Sequence, residues 1–420
     1  MRAILSAKIF FCCSIVTIFF LLYMSIKEFT NRPYSNEQVK QLLERKLETS
    51  TFWSDSTSDV KIAKSDFNNT NSAKKQMKYI LQWTSARNVP FIYMGVGQEG
   101  FNSRNCPHTN CIVTADRNLL GDVKKFDVIA FSGPEVIRMF HRSLPQDRSE
   151  KQKYVFASIE SSHYYPICSN RLDNFFNWTW TFRLDSEVRW GYMLIKDSNN
   201  NTIGPKKIMH WMKLQDMEPI SDEFKSKLRT KTKAAAWFVS NCFDKSGRMN
   251  YAMDLKKQLG KYGLELDIYG DCGTLTCPRD KQDDCDRMLD KTYYFYLSFE
   301  NSFSEDYVTE KLLHALRNNV VPVVYGGANY TRFMPNGIYL NAREMGTQKL
   351  AAKMNQLISD PEKYADYFKW KRHYTYHSLH ESPETDEYCR FCAILNDEQM
   401  VKRTSVIKNF RDWWDSPKFC

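Results

Sequence analysis

The 420-residue sequence predicts an α/β fold of two Rossmann-like domains facing a central cleft. Short apolar strand patterns alternate with helix-like or loop segments, which argues for parallel sheets. They fall into two series, divided by a polar stretch from about Lys196 to Lys233. The run FYLSFENSFSEDYVTEK, Phe295 to Lys311, shows an aromatic strand breaking into a polar loop that opens a helix. That is the local form of a ligand-binding crevice in an open α/β sheet.

The first series comprises Tyr79 to Trp83, Cys111 to Ala115, Asp127 to Phe131 and Tyr154 to Ile159. The second comprises Ala234 to Ser240, Leu264 to Tyr269, Tyr293 to Phe299, Val320 to Tyr325 and Ile338 to Leu340. Helical patterns fall at Met249 to Leu259 and Val308 to Asn319, the latter repeating Val308, Leu312 and Leu316 on one face. No internal repeat at a solenoid period is visible.

Three loops end strands of the second series. Asn241-Cys242-Phe243-Asp244-Lys245-Ser246-Gly247-Arg248 opens into a helix, where backbone N–H groups and a guanidinium fork suit a phosphate. Gly270-Asp271-Cys272-Gly273 lets backbone approach a ligand closely. In the third loop, Glu300 and Asn301 precede Lys311, a cation placed in the first turns of a helix, against the macrodipole. Meeting a phosphate would explain it; an ordinary solvated lysine is the competing reading. Glu160 ends the strand Tyr154 to Ile159 at the cleft rim, where desolvation raises a carboxyl pKa and improves it as a base. Asp284-Cys285-Asp286 spells Asp-x-Asp but lies in a charged, cysteine-bearing loop, and no metal site is read there.

The net charge of +10 suits an anionic ligand, yet no Lys/Arg cluster or reader motif points to nucleic acid. Residues 9–26 form an uncharged apolar run between Lys8 and Lys27. As a helix it spans roughly 27 Å, enough for a thin bilayer. Arg2 and Lys8 favour an N-terminus-in anchor only weakly, since Lys27 and Arg32 follow the run. A cleaved signal peptide is the competing reading, though no A-x-A-like site follows. The polar segment to about Lys75 reads as a stem. Asn68, Asn177, Asn200 and Asn329 head N-x-S/T sequons, permitted glycosylation sites in a lumenal body. Ten of the twelve cysteines lie beyond the apolar run, which fits an oxidising compartment. For Cys389-x-x-Cys392, disulfides are favoured over zinc because no second ligand pair stands at zinc spacing.

Residues 234 to 345 resemble the α1,3-fucosyltransferase family in AAAWFVSNC, DIYGDCGTLTCPR, YYFYLSFENSFSEDYVTEKL and VVPVVYGGANY. A weaker likeness runs through Cys106…Cys111-Ile-Val-Thr-Ala-Asp, SIESSHYYP, FNWTWTFRLDSEV and Cys389-x-x-Cys392, so it covers nearly everything from Tyr79 to Cys392. The version with SNC, YGDCGTLTCPR and Cys285 looks like the insect and plant-like core branch, which modifies the chitobiose core of N-glycans; the Lewis-type branch is the runner-up. The resemblance implies a GT-B fold and inverting transfer of L-fucose from GDP-fucose to the 3-hydroxyl of N-acetylglucosamine. It implies Glu160 as general base and Arg248 and Lys311 as diphosphate contacts. Glu310, Tyr307 and Asn301 then stand around the ribose and fucose, with Glu300 and Asn241 in the donor loops and Tyr269 on the guanine side. No metal is obligatory, a divalent cation such as manganese at most stimulating GDP release. Cys106 and Cys111 are expected to pair with Cys389 and Cys392; Cys242, Cys272, Cys277 and Cys285 to form local bridges of undetermined connectivity; and Cys168 and Cys420 have no obvious partner.

The implied organisation is a cytoplasmic tail (1–8), a signal anchor (9–26) in the Golgi membrane and a stem (27–75). An acceptor-side domain (76–205), a GDP-fucose-binding domain (206–370) and a segment packing back on the first domain (371–420) follow. The partners are then GDP-fucose and an N-glycan acceptor in the lumen. Two departures stand out: Phe303-Ser304 occurs where the core branch often has a cysteine, so a bridge found there in relatives is absent or rearranged, and SIESSHYYP departs from a common E-S-P form, which leaves acceptor choice open.

Overall fold

Two parallel sheets, each wound by helices and loops, organise a computed structural model that describes residues 76–415 and 418–420. Residues 1–75, with the expected tail, anchor, stem and Asn68, lie outside the described residues. Among the described residues no helix is long and apolar enough to cross a membrane.

The first sheet contains β1 (Lys78–Gln82), β2 (Cys111–Thr114), β3 (Val128–Ser132), β4 (Lys153–Ser158), β5 (Trp178–Thr181) and β6 (Val188–Arg189), in the order β2-β1-β3-β4-β5-β6. All its pairings are parallel. Every residue of β3 and β4 is buried, as strands covered on both faces require. Alternate residues serve opposite cores: Val128, Ala130, Val155 and Ala157 face one, while Ile129, Phe131, Tyr154 and Phe156 face the other.

The second sheet contains β9 (Lys233–Phe238), β10 (Leu266–Tyr269), β11 (Tyr293–Phe299), β12 (Val321–Tyr325) and β13 (Leu340–Asn341), ordered β10-β9-β11-β12-β13 and again parallel. Helix α1 (Arg248–Gly260) follows β9, α2 (Gln282–Thr292) precedes β11, α3 (Glu310–Arg317) follows it, and α4 (Ala342–Ser359) follows β13. Leu255 and Leu259 of α1 share one core with Leu350 and Met354 of α4; Leu289 of α2 and Ala315 of α3 line the opposite face.

A third, antiparallel sheet was not anticipated. It joins β7 (Leu194–Asp197), β8 (Thr202–Gly204) and β14 (Tyr374–His377), in the order β14-β7-β8. Its Ile195, Tyr374 and Tyr376 pack with Leu312 and Leu316 of α3, so it lies against the second sheet's helices. The polar stretch read as a divider therefore contains β8 and a short helix, Asp222–Leu228, capped by Ser221. Helix α3 starts two residues later than the apolar repeat suggested, because Asp306 is left-handed (φ 60°) and Thr309 is extended.

Helix α5 (Glu387–Asn396) places Tyr388, Phe391, Cys392 and Leu395 at i, i+3, i+4 and i+7, one apolar stripe that enters the core of the first sheet. Two disulfides, Cys106–Cys389 and Cys111–Cys392, fix it there. Phe410 and Trp414 close the opposite face. The cysteines without assigned partners form Cys168–Cys420, Cys242–Cys272 and Cys277–Cys285. Asp284-Cys285-Asp286 belongs to α2 rather than a loop, with Asp284 paired to Arg287 and Asp286 to His314.

Replacing Cys106 and Cys389 together by Ser should lower stability by about 2–5 kcal/mol, because the cross-link closes a very long loop of the unfolded chain. Guanidinium unfolding measures this; an unchanged midpoint would show that α5 needs no such tether.

Candidate active site

The carboxyl ends of β4 and β11 meet where the two halves touch. Glu160 follows β4 by two residues, and Tyr192 Oη donates to the Ile159 carbonyl (3.0 Å), fixing the exit of that strand. From the other side, the loop after β11 contributes Tyr307, whose buried hydroxyl donates to Glu160 Oε2 (3.1 Å). Ser161 and Ser162 pair with Ser302 and Ser304 through their hydroxyls (2.6 and 2.7 Å). Lys245 Nζ donates to the His163 carbonyl (2.7 Å), and His163 Nδ1 accepts from the Phe303 N–H (3.2 Å).

Both expected cations converge on the end of β11. Arg248 is buried; Nη1 donates to the Phe299 carbonyl (2.7 Å), Nη2 to the Asn241 carbonyl (3.1 Å) and Nε to Asp244 Oδ2 (2.9 Å). Lys311 Nζ lies 3.3 Å from Glu300 Oε2 and donates to Glu310 Oε1 (3.0 Å) and Thr309 Oγ1 (2.8 Å). Burial works against the Lys311 charge, but Glu300 and Glu310 outweigh it and hold its pKa above the ordinary lysine value. The Arg248 charge also reaches Lys311 and opposes this, so the two cations share one small region.

Burial pushes the Glu160 carboxyl above its ordinary range, while the Tyr307 hydrogen bond and the Lys311 charge favour the ionised form and limit the rise. Glu300 is wholly buried and accepts from the Thr309 N–H (2.8 Å) and hydroxyl, a support for Lys311 more than a ligand-facing group. Asn301 caps the same loop: its carbonyl accepts from the Ser246 N–H and its side chain from Ser302. Asn241 and Glu310 are exposed.

Two readings are corrected. Tyr269 packs into the second sheet's core among Phe238, Leu289 and Tyr296, with its hydroxyl on Tyr293 (2.6 Å), so its ring has no open face for a base. Asn177 is buried as well: its Oδ1 accepts from the Tyr154 N–H and Arg148, and its Nδ2 donates to the Ser405 carbonyl. That occupies the amide a glycan would need, whereas Asn200 and Asn329 are exposed.

Asp244 escaped the sequence reading. Its Oδ1 gathers the Ser246 and Gly247 N–H groups while Oδ2 holds Arg248, and the signal was an acid four residues before a helix-opening arginine. Gly326 and Gly327 are required by close approach: a Cβ on the first would meet Tyr330 Oη at 2.3 Å, and on the second the Ser304 nitrogen at 2.6 Å. Arg343, over the Phe303 ring at 4.2 Å, adds a further cation beside this loop. Among the described residues, His380, Asp386 and Glu387 are grouped as metal ligands would be, but at the N-terminus of α5, where Arg104 already supplies a positive charge 3.6 Å from Asp386.

Two cations at the end of one parallel sheet, Arg248 buried and Lys311 partly buried, with a desolvated carboxylate at the end of another, suit group transfer from a substrate with an anionic leaving group. The model of the N-terminal fucosyltransferase domain matches residues 75–193, and that of the C-terminal domain of glycosyltransferase family 10 (fucosyltransferase) matches residues 228–413. Alpha-(1,3)-fucosyltransferase C of Drosophila melanogaster is 37% identical over 327 residues, 76% of this chain and 72% of that one. Glycoprotein 3-alpha-L-fucosyltransferase A of the same fly is 33% identical over 77% of this chain and 58% of its own length. A solved structure of an alpha1,3-fucosyltransferase with GDP-fucose aligns over 82% of this chain and 95% of that one, at 15% identity and TM-score 0.45. The chain belongs to glycosyltransferase family 10, the fucosyltransferases, and is an enzyme of that kind.

Asp244→Ala leaves the buried Arg248 guanidinium without its carboxylate and should destabilise the protein by about 3–5 kcal/mol. Thermal unfolding reads this; a loss under about 1 kcal/mol would mean the backbone carbonyls alone satisfy the arginine.

Proposed function

We propose that this enzyme transfers L-fucose from GDP-fucose to the 3-hydroxyl of N-acetylglucosamine at the chitobiose core of glycoprotein N-glycans, with inversion. The observation that carries the reading is one loop, Glu300 to Lys311, which holds a cation for the leaving group and a tyrosine on the carboxylate opposite. In a single in-line displacement, Glu160 removes the proton from the acceptor hydroxyl as its oxygen bonds to C1 of fucose. The C1–O bond to the β-phosphate breaks, and its electron pair leaves with GDP. Arg248 and Lys311 stabilise that charge more in the transition state than before it. No step here calls for a metal; a divalent ion such as manganese would act at most on GDP release.

The glycoprotein acceptor is supported by the motif likeness to the core branch and by the fly relative named for glycoproteins. The departure of SIESSHYYP from the common E-S-P form keeps antennal, Lewis-type N-acetylglucosamine as the second reading. Within this reading the enzyme is a lumenal Golgi protein anchored through the apolar run 9–26; the disulfides, which engage all ten described cysteines, support only its oxidising compartment. A soluble form lacking residues 1–75, offered defined N-glycans and Lewis-type acceptors, tests acceptor choice: mass spectrometry should place the added deoxyhexose on the core GlcNAc, and antennal addition alone would overturn that part.

Glu160→Gln should abolish transfer while GDP still binds, and Lys311→Ala should weaken GDP-fucose binding by about 1.5–3 kcal/mol, the range of a charged hydrogen bond. Near-normal turnover of the first, or unchanged donor affinity of the second, would remove that residue from its role. A base must be ionised, so kcat/KM should fall with decreasing pH along a limb lying above the ordinary glutamate value of 4.5. Tyr307→Phe removes a donor to the charged form and should move that limb to higher pH. A shift downward, or none, would contradict the hydrogen bond's role.

A further inference from the structure

Phe243 is 95% exposed, on the loop that joins β9 to α1. Exposed apolar side chains are common singly, and Val96, Phe140 and Ile208 are examples in loops that carry no site residue. Phe243 differs in how its loop is held. Cys242, before it, is bonded to Cys272. Asp244, after it, accepts from the Ser246 N–H (2.9 Å), the Ser246 hydroxyl (2.6 Å), the Gly247 N–H (3.1 Å) and Arg248 Nε (2.9 Å). The Asn241 carbonyl is tied to Arg248, and Lys245 reaches across to the His163 carbonyl. A loop pinned on both sides of the ring therefore presents an aromatic face to water.

Its place is at the rim shared by the two halves. Lys245, two residues on, meets His163, three residues after Glu160, and lies 5.5 Å from the Tyr164 ring. Arg248, which follows in the same loop, is buried. A pyranose carries an apolar C–H face beside its polar rim, and such a face gains by covering an exposed aromatic ring. Resting on the fucosyl-transfer reading, we propose that Phe243 is an acceptor subsite: its ring packs against the apolar face of a pyranose of the acceptor glycan and holds the reacting hydroxyl toward Glu160.

Steady-state kinetics of Phe243→Ala, Phe243→Trp and the parent enzyme, with GDP-fucose and a core N-glycan glycopeptide, test this beside calorimetric GDP binding. Phe243→Ala should raise the acceptor KM about 5- to 30-fold, as expected for losing much of one aromatic contact. Its kcat, GDP-fucose KM, GDP affinity and melting temperature should stay near those of the parent, and Phe243→Trp should restore the acceptor KM. An unchanged acceptor KM for Phe243→Ala sinks the subsite alone. A matching loss of GDP affinity assigns the ring to the donor and also sinks it. A parent enzyme that binds GDP but transfers no fucose overturns the fucosyl-transfer reading and the subsite with it.

Discussion

The carboxyl end of β11 is the constraint on which this molecule depends. Its last residue offers a backbone carbonyl to Arg248 at 2.7 Å, and Glu300, one residue on, lies 3.3 Å from Lys311. A buried charge persists only when paired: Arg248 has Asp244, and the partly buried Lys311 has Glu300 and Glu310, so neither cation is left to its own flexible side chain. β11 runs between β9 and β12 as the central strand of the second sheet. The chain leaving it must then turn back, and Asp306 makes that turn in the left-handed region, gripped by Arg332 (2.6 Å) and Lys207 (2.7 Å). Tyr307 is thereby delivered to Glu160. The placement of Lys311 and the orientation of Glu160 are consequences of one loop geometry.

Such a site opposes stability. A glutamate with a raised pKa binds its proton more tightly folded than unfolded. Glu160 therefore makes the native state progressively less favourable as pH rises from 4.5 to its own raised value, and the loss persists above that. Opposing contributions lie nearby. Glu305 resists burial through Lys207, Arg332 and Arg183, which hold its carboxyl down at about 2. Its share of stability is therefore present above the ordinary glutamate range and fades only as pH falls toward that value. Arg183 belongs to the first half and Glu305 to the second, so this ion-pair group ties the halves together beside the site.

Much of the fold was legible because parallel strands buried on both faces must be apolar runs; β1 to β4 and β9 to β12 were all visible that way. Strands β7, β8 and β14 were not, since they are short and half polar, and β14 finds its partner β7 far away in the sequence, which no local pattern records. Glu160 and Lys311 could be placed because strand ends and helix starts are marked by composition. Tyr269 could not, because which face of a strand meets a ligand depends on the helices that cover it, here α2 and α3. Asn177 shows the same limit: a sequon is a local signal, while its burial comes from Arg148 and from the carbonyl of Ser405, 228 residues away. The bridge Cys168–Cys420 was equally invisible, and for the two bridges expected among Cys242, Cys272, Cys277 and Cys285 only the connectivity was open, since cysteine pairing is a matter of three-dimensional proximity.

A crystal structure of the enzyme with GDP and an acceptor glycan tests the arrangement most directly. The expected result is a diphosphate within hydrogen-bonding reach of both Arg248 and Lys311, and the acceptor 3-hydroxyl within about 3 Å of Glu160. A diphosphate bound away from the end of β11, or an acceptor hydroxyl facing a group other than Glu160, would contradict it.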